Sequence, residues 1–232
     1  MTARIGIIVF ARMSSSRLPG KMLHELGSRS LLERVIGRAR CVDSKVVLAT
    51  SRNSEDDALV NEARTIGVAV VRGSLNDVMG RAVQAAGEHD FDAFARLCGD
   101  RPLFPIDDMQ RGISVMRESI EQGRSADLVS THTPEPVPAG LTTEIIRTAA
   151  LADAHANTND PEEQEHVTTH FYRNRHRFRI VDLATTMRKF HGLHFSIDRP
   201  EDAAQINQLF QQHPDIDLPV EQAAASLAGL AN

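Results

Sequence analysis

The chain has 232 residues, 26 lysines and arginines against 31 aspartates and glutamates, 41% hydrophobic and 25% charged residues. That composition belongs to a folded globular protein and excludes a disordered, collagen-like or disulfide-scaffold chain. Aromatic residues at 4%, with no Trp and one Tyr, and a net charge of -5 leave neither a base-stacking platform nor the broad positive surface that nucleic acid requires. The length suffices for one large domain, or one domain with a small lobe, to bury its own core. Cys41 and Cys98 stand apart with no CxxC pairing, so neither a zinc site nor a redox motif is written in them. The apolar run at 5–10 is followed by Arg12 and Arg17. It fits neither a signal peptide nor a membrane span of about 20 residues. These features predict a cytoplasmic protein with no nucleic-acid or membrane partner.

Short β-rich apolar runs alternate with helix-period segments through the first half, the pattern of βα units in a parallel sheet. A buried strand is expected at 5–10. A helix at 30–40 then puts Leu31, Leu32, Val35, Ile36 and Ala39 on one face. A second strand is expected at 46–50, and Ser54 followed by three acidic residues reads as an N-cap with an acidic first turn. Strands at 68–71, 93–97 and 127–130 alternate with helices at 76–88 and 107–122. Three prolines between Thr133 and Gly140 forbid regular structure and mark entry into a small lobe, 133–175, with helices at 140–156 and 161–175. Strands at 178–183 and 193–197, a helix opening at Pro200 and an Ala-rich helix at 218–230 complete the chain. No internal repeat is found. The fold class is α/β, with a mostly parallel sheet flanked by helices.

The densest chemistry lies directly after the first strand. Arg12, Arg17 and Lys21 share that loop with Ser14, Ser15, Ser16 and a Pro-Gly turn. Such a set can cradle a polyphosphate through charge-assisted hydrogen bonds and backbone N–H groups, at the strand end where open α/β sheets bind ligands. The loop is not a Walker A motif, because Ser15 stands where the first glycine would be and Met22 follows Lys21. Asp100 and Asp198 each end a strand-like run before a proline. Two strand-end carboxylates facing a cationic loop suit Mg²⁺ held between protein and triphosphate.

Several stretches occur in order along residues 5 to about 210: Ile-Val-Phe-Ala-Arg-Met-Ser-Ser-Ser-Arg-Leu-Pro-Gly-Lys, Val-Val-Leu-Ala-Thr, Asn-Asp-Val-Met-Gly-Arg, Gly-Asp-Arg-Pro, Pro-Ala-Gly-Leu-Thr-Thr-Glu, Glu-His-Val-Thr and Ile-Asp-Arg-Pro-Glu-Asp. In these the chain resembles the cytidylyltransferase family of CMP-sugar synthetases, specifically its spore-coat-polysaccharide-type branch, related to acylneuraminate and 3-deoxy-manno-octulosonate cytidylyltransferases. The resemblance implies a Rossmann-like nucleotidyltransferase domain over 1–232, GT-A-like, with a mixed, mostly parallel sheet. The 133–175 lobe would serve the acceptor and a homodimer contact. By position it implies that Arg12, Arg17 and Lys21 hold the CTP phosphates and that Asp100 and Asp198 bind Mg²⁺. Ala11, Ser14 and Thr50 would lie against the nucleotide, Asp77 and Arg81 would border the nucleotide or sugar pocket, and Glu144 and His166 would face the acceptor. Phe10, Gln164 and Arg101 depart from residues common in that branch. The implied reaction is attack of an acidic sugar's hydroxyl on the α-phosphorus of CTP, with release of pyrophosphate, for glycan biosynthesis. Arg12, Lys21, Asp100 and Asp198 would be its catalytic residues. Its proton acceptor stays open between His166 and a metal-bound hydroxide. An acceptor carboxylate would need a cation, for which Arg101, Arg147 and Arg173 are all candidates.

Other signals weigh less. His166 and His170 have the i, i+4 spacing of a zincin, but Val167 stands where its glutamate is required. The basic run 173–179 reads as a solvated helix end rather than a nucleic-acid contact. Three alternatives stay open: a nucleotidyltransferase acting on a sugar or alditol phosphate, a GT-A glycosyltransferase, and an idle nucleotide-binding scaffold. The uridylyl type is disfavoured because the first loop lacks its Gly-Gly-x-Gly-x-x-Arg pattern.

Overall fold

Every residue of β1 (Ile5–Phe10) is buried. Ile5, Ile7 and Val9 enter one apolar cluster while Ile8 and Phe10 enter another, so the period of two feeds both faces of a central strand. The structure, a computed structural model, describes residues 2–42, 44–124 and 126–230. Of the expected 1–232 domain, residues 1, 43, 125, 231 and 232 lie outside the described residues.

A two-stranded hairpin of β2 (Glu25–Leu26) and β3 (Arg29–Ser30) leads into α1 (Leu31–Arg40), whose N-cap Ser30 accepts from Glu33 N. β4 (Lys45–Ser51), α2 (Asp57–Thr65), β5 (Ala69–Gly73), α3 (Val78–Glu88), β6 (Ala93–Cys98), α4 (Ile106–Glu121) and β7 (Leu128–Ser130) follow in the expected alternation. The second half holds β8 (Glu144–Arg147), α5 (Thr148–Ala156), α6 (Pro161–Glu165), α7 (Thr169–Arg173), β9 (Ile180–Asp182), α8 (Pro200–Gln212) and α9 (Val220–Leu230). The seven-stranded sheet runs β5-β4-β1-β6-β8-β7-β9. Only β8 is antiparallel to its neighbours, so the sheet is mixed and mostly parallel. Residues of α1, α2, α4, α8 and α9 fill one face, and residues of α3, α5 and α7 the other.

Four expectations need correction. The helix expected at 140–156 is a strand for its middle part: Glu144–Arg147 is inserted between β6 and β7, and only Thr148–Ala156 is helical. The 133–175 segment thus contributes to the main sheet itself, and its α5 and α6 pack on α3. The helix expected at 161–175 is broken into α6 and α7, with His166 as the C-cap of the first. Residues 193–197 are extended but form no strand. Phe195, Ser196 and Ile197 are all buried, yet Phe195 and Ile197 each make a single backbone bond, to Ala139 O and Asp100 O. Finally, Ser54 caps nothing. It starts a 3-10 turn after Asn53, and Asp56, expected in the acidic first turn, is 1% exposed.

α1 departs from its apolar pattern at two positions: Arg34 and Arg38 are buried with the aliphatic residues. Arg38 donates to Phe104 O, Ile216 O and Leu218 O, and Arg34 to Leu26 O and Pro214 O. Burial lowers both guanidinium groups to about 10, still charged at neutral pH. The pair clips the C-terminal segment onto α1.

Candidate active site

β1 lies between β4 and β6, where the winding of the sheet reverses, and the loops leaving β1 and β6 open a crevice at the strands' carboxyl ends. A pocket of about 360 Å³ occupies it, and Arg12, Ser14, Ser15, Ser16, Arg17 and Lys21 form its loop wall. The loop is held from beneath. Asp56 accepts from Met13 N at 2.7 Å through one carboxylate oxygen and from Ser51 N at 3.0 Å through the other. Gly20, at φ +69, turns the chain back so that its N–H reaches Met13 O. At the end of β6, Gly99 N donates to Phe10 O at 2.8 Å, and a Cβ at Gly99 would come within 3.0 Å of the Ala11 Cβ. Glycine here is what lets the two strand ends close on each other.

Lys21 is the centre of the site. Its ammonium donates to Asp100 Oδ2 at 3.1 Å, Ile197 O at 2.8 Å and Asp198 Oδ1 at 3.2 Å, which uses all three N–H bonds. The side chain is 12% exposed, while those of Asp100 and Asp198 are 26% and 31% exposed, so the carboxylates keep access to the pocket. Asp202, in the first turn of α8, accepts from Asp198 N and Arg199 N and fixes the segment that presents Asp198. Arg17 pairs with Asp198 at 3.3 Å, and Arg12 with Glu165 of α6 at 3.1 Å. Both arginines are largely solvated, so these pairs contribute about 0–1 kcal/mol each and exchange readily for an anion.

The far wall comes from β6, α3 and the α6 end: Arg96 and Cys98, Val78 and Arg81, Glu165 and His166. Arg81 is 3% exposed and donates to Ser74 O, and its Nε has no partner among the described residues. Burial lowers it to about 10, leaving a charged guanidinium in the wall. Five cations, Arg12, Arg17, Lys21, Arg81 and Arg96, face three carboxylates, Asp100, Glu165 and Asp198. The pocket therefore favours a polyanion.

Of the residues expected here, Ala11, Arg12, Ser14, Arg17, Lys21, Arg81, Asp100, His166 and Asp198 line this one pocket. Three do not. Thr50 is fully buried, with its hydroxyl unpaired among the described residues. Asp77 caps α3 through Gly80 N and pairs with His155. Glu144 sits behind the wall, bonded to Arg96. Sequence reasoning missed Asp56, Arg96 and Glu165. Asp56 is masked by its helix-start context, and Glu165 stands directly before the His166 that drew attention. A larger cleft, about 940 Å³, lies between α4 and the start of α9 and shares no lining residue with this pocket. Its arginines, Arg38 and Arg111, are committed to carbonyls and to Asp108, so it offers no comparable anion cradle.

Comparison with known proteins bears on the family and the fold. A family model described as cytidylyltransferase matches residues 6–229. An uncharacterized protein of Methanocaldococcus jannaschii, MJ1063, is 32% identical over 91% of this chain and 84% of its own length. The spore coat polysaccharide biosynthesis protein SpsF of Bacillus subtilis is 29% identical over 90% of this chain and 88% of its own. Among solved structures, a cytidylyltransferase from Leptospira borgpetersenii superposes with a TM-score of 0.87 at 24% identity, covering 98% of this chain and 93% of that one. A CMP:2-keto-3-deoxy-manno-octonic acid synthetase complexed with CTP follows at 0.67 and 18% identity, covering 90% and 99%. These last two likenesses bear on the fold, the mixed, mostly parallel sheet of nucleotidyltransferases. A family match over nearly the whole length, joined to a relative 32% identical across 91% of the chain, shows that the chain belongs to the cytidylyltransferase family and is a nucleotidyltransferase.

Proposed function

We propose that the protein transfers CMP from CTP to an acidic sugar of the ulosonic acid type and releases pyrophosphate. The observation that carries this reading is the Lys21 ammonium standing between Asp100 and Asp198, with Arg12 and Arg17 at the rim of the same pocket. In-line displacement at a phosphorus needs positioning and positive charge more than it needs a protein nucleophile. Arg12 and Arg17 exchange their solvated carboxylate partners for phosphate oxygens. Lys21 follows the charge that grows on the leaving pyrophosphate. Arg81, buried in the wall, keeps a fixed positive charge on the nucleotide side. His166, exposed at the pocket end of α6, faces the acceptor.

The donor set fits a hard divalent cation. Asp100 and Asp198 offer carboxylate oxygens to one point, now occupied by the ammonium, and no cluster of three or more ligating side chains competes among the described residues. Mg²⁺ commonly takes one or two carboxylates and completes its shell with phosphate and water. Asp100 and Asp198 are the residues that would hold it, and when bound it supplies positive charge against the phosphate oxygens.

The 133–175 segment completes the acceptor side and carries the contact of a homodimer in this reading, which light scattering tests directly. The reading also places the work in the cytoplasm, consistent with free Cys41 and Cys98 and with no membrane-spanning helix among the described residues. The deciding experiment measures pyrophosphate release with Mg²⁺, each of the four nucleoside triphosphates, and a panel of eight- and nine-carbon ulosonic acids and alditol phosphates. CTP with one acidic sugar is the expected productive pair. Release with an alditol phosphate instead, or no release with any acceptor despite CTP binding, overturns the acceptor class.

A further inference from the structure

Arg96 is an arginine on a strand otherwise made of Ala, Phe, Leu and Cys. In the parallel register its Cα pairs with Ile8 and that of Cys98 with Phe10, so all four side chains share one face of the sheet. That face is apolar below, where Phe94 and Ile8 are fully buried. Arg96 is the point where it turns polar and enters the pocket.

One nitrogen of the guanidinium, Nη1, donates to Glu144 Oε2 at 2.7 Å. Glu144 is itself fixed by Tyr172, whose hydroxyl donates to Oε1 at 2.8 Å and lies 2.7 Å from Ser130 Oγ. The side chains of Arg96 and Glu144 are 14% and 4% exposed. A buried ion pair of this kind is no cheaper for the fold than apolar residues of the same volume, since the loss of hydration offsets the attraction. Its position is what distinguishes it. The pair, locked from behind by Tyr172 and Ser130, holds a planar cation with N–H donors to spare against the pocket, on the wall opposite the phosphate loop. Burial opposes the charges, but the neighbours outweigh it: Arg96 stays above its ordinary value, and Arg96 and Arg101 hold Glu144 below its own. The cation is permanent at any physiological pH.

The geometry points to Arg96 as the residue that recognises the acceptor's carboxylate, with Glu144, Tyr172 and Ser130 as positioning residues behind it. This rests on the proposed reaction and names the group that reads its substrate class. The other arginines are engaged elsewhere. Arg147 is paired with Asp127, Arg173 lies on the surface against Asp160 and Glu162, and Arg101 donates to Thr142 O outside the pocket lining. Arg81 is turned toward its own loop, donating to Ser74 O. A guanidinium fork matches a carboxylate in two parallel hydrogen bonds, a geometry an ester cannot accept with charge.

The test is calorimetric titration of the protein saturated with cytidine 5′-(α,β-methylene)triphosphate, which blocks transfer. The ligands are 3-deoxy-manno-octulosonate, N-acetylneuraminate and their methyl esters, and the proteins are wild type, Arg96→Gln and Arg96→Lys. We expect wild type to prefer at least one acid over its ester by about tenfold or more, the scale of a charge-assisted hydrogen bond. Arg96→Gln abolishes that preference and Arg96→Lys keeps part of it, while affinity for the nucleotide analogue stays within about twofold in all three. Should Arg96→Gln not fold, a reduced preference in Arg96→Lys with intact nucleotide binding carries the result. The inference is overturned by equal binding of acid and ester to wild type, by no binding of either acid, by a preference that survives in Arg96→Gln, or by nucleotide affinity falling in parallel. The two readings fail separately. An Arg96-dependent preference without pyrophosphate release from CTP overturns the reaction alone, and release with an unchanged acid-to-ester ratio in Arg96→Gln overturns the role of Arg96 alone.

Discussion

At the scale of single residues, Asp198 shows how one carboxylate joins three requirements. It accepts from Lys21, pairs with Arg17, and is aimed by its own backbone N–H resting on Asp202. Asp198→Asn keeps the shape and removes the charge. We expect its turnover to fall by about 100-fold or more, the scale of losing a group that stabilises transition-state charge. Its melting temperature should stay close to that of wild type, because Lys21 keeps Asp100 and the Ile197 carbonyl as partners. A near-normal rate in coupled pyrophosphate assays would remove Asp198 from the reaction. Asp198, Asp100 and Lys21 are legible in the sequence because each carboxylate closes an apolar run before a proline and the lysine lies in the loop after the first strand, at the edge where a parallel sheet binds its ligand, even though the run before Asp198 forms no strand. Asp56 is not, because an acidic residue at a helix start is ordinary, and only the folded path of the 11–21 loop shows that its oxygens hold Met13 and Ser51.

Among the elements, β8 was the hardest to foresee. Glu144-Ile-Ile-Arg147 runs straight into Thr-Ala-Ala-Leu-Ala-Asp-Ala-His-Ala, a stretch of strong helix formers, and a short apolar run has no period of its own to set against it. What makes it a strand is the space between β6 and β7, which only tertiary structure defines. The run at 193–197 errs in the opposite direction. Its alternation is real, but the chain makes one backbone bond to each of two neighbours instead of a ladder. Inserting β8 carries a pH consequence. Glu144 is held below its ordinary value in the folded chain, so the unfolded chain binds its proton first as the medium acidifies. The contribution of the Arg96–Glu144 pair is complete above the ordinary value of 4.5 and is lost as pH falls through the lower folded value. Melting temperatures measured between about pH 6 and pH 3 should therefore fall more steeply for wild type than for Glu144→Gln. Parallel curves would show that the pair contributes nothing to acid sensitivity.

Over the whole molecule, the pocket is closed by segments from opposite ends of the chain. The β1 loop brings Arg12, Arg17 and Lys21, the end of β6 brings Asp100, α6 and its C-cap bring Glu165 and His166, and the chain before α8 brings Asp198. A ligand that engages all four ties them together, so binding reads out as global stability. CTP with Mg²⁺ at about 100 times its dissociation constant should add about 2.7 kcal/mol to the unfolding free energy. UTP, GTP and ATP at equal concentration should add less, as measured by denaturant or thermal unfolding. Equal stabilisation by all four would place nucleotide selectivity outside this pocket. The overall class of fold and the meeting of the 11–21 loop with Asp100 and Asp198 at one edge of the sheet were readable from order and spacing along the chain. The wall that holds Arg96 was not, because its guanidinium is fixed by Glu144 across the sheet.

The meeting of Lys21 with Asp198 also bears on how the protein is made. The two residues are 177 positions apart. The loop after β1 therefore leaves the ribosome long before this carboxylate partner. A chain made only as far as the turn after β6 has Asp100 to set beside the lysine but neither Asp198 nor the Ile197 carbonyl. The Lys21–Asp198 contact therefore forms only once the segment before α8 is present to dock, and a chain cut anywhere between the two carries the cationic loop without that partner.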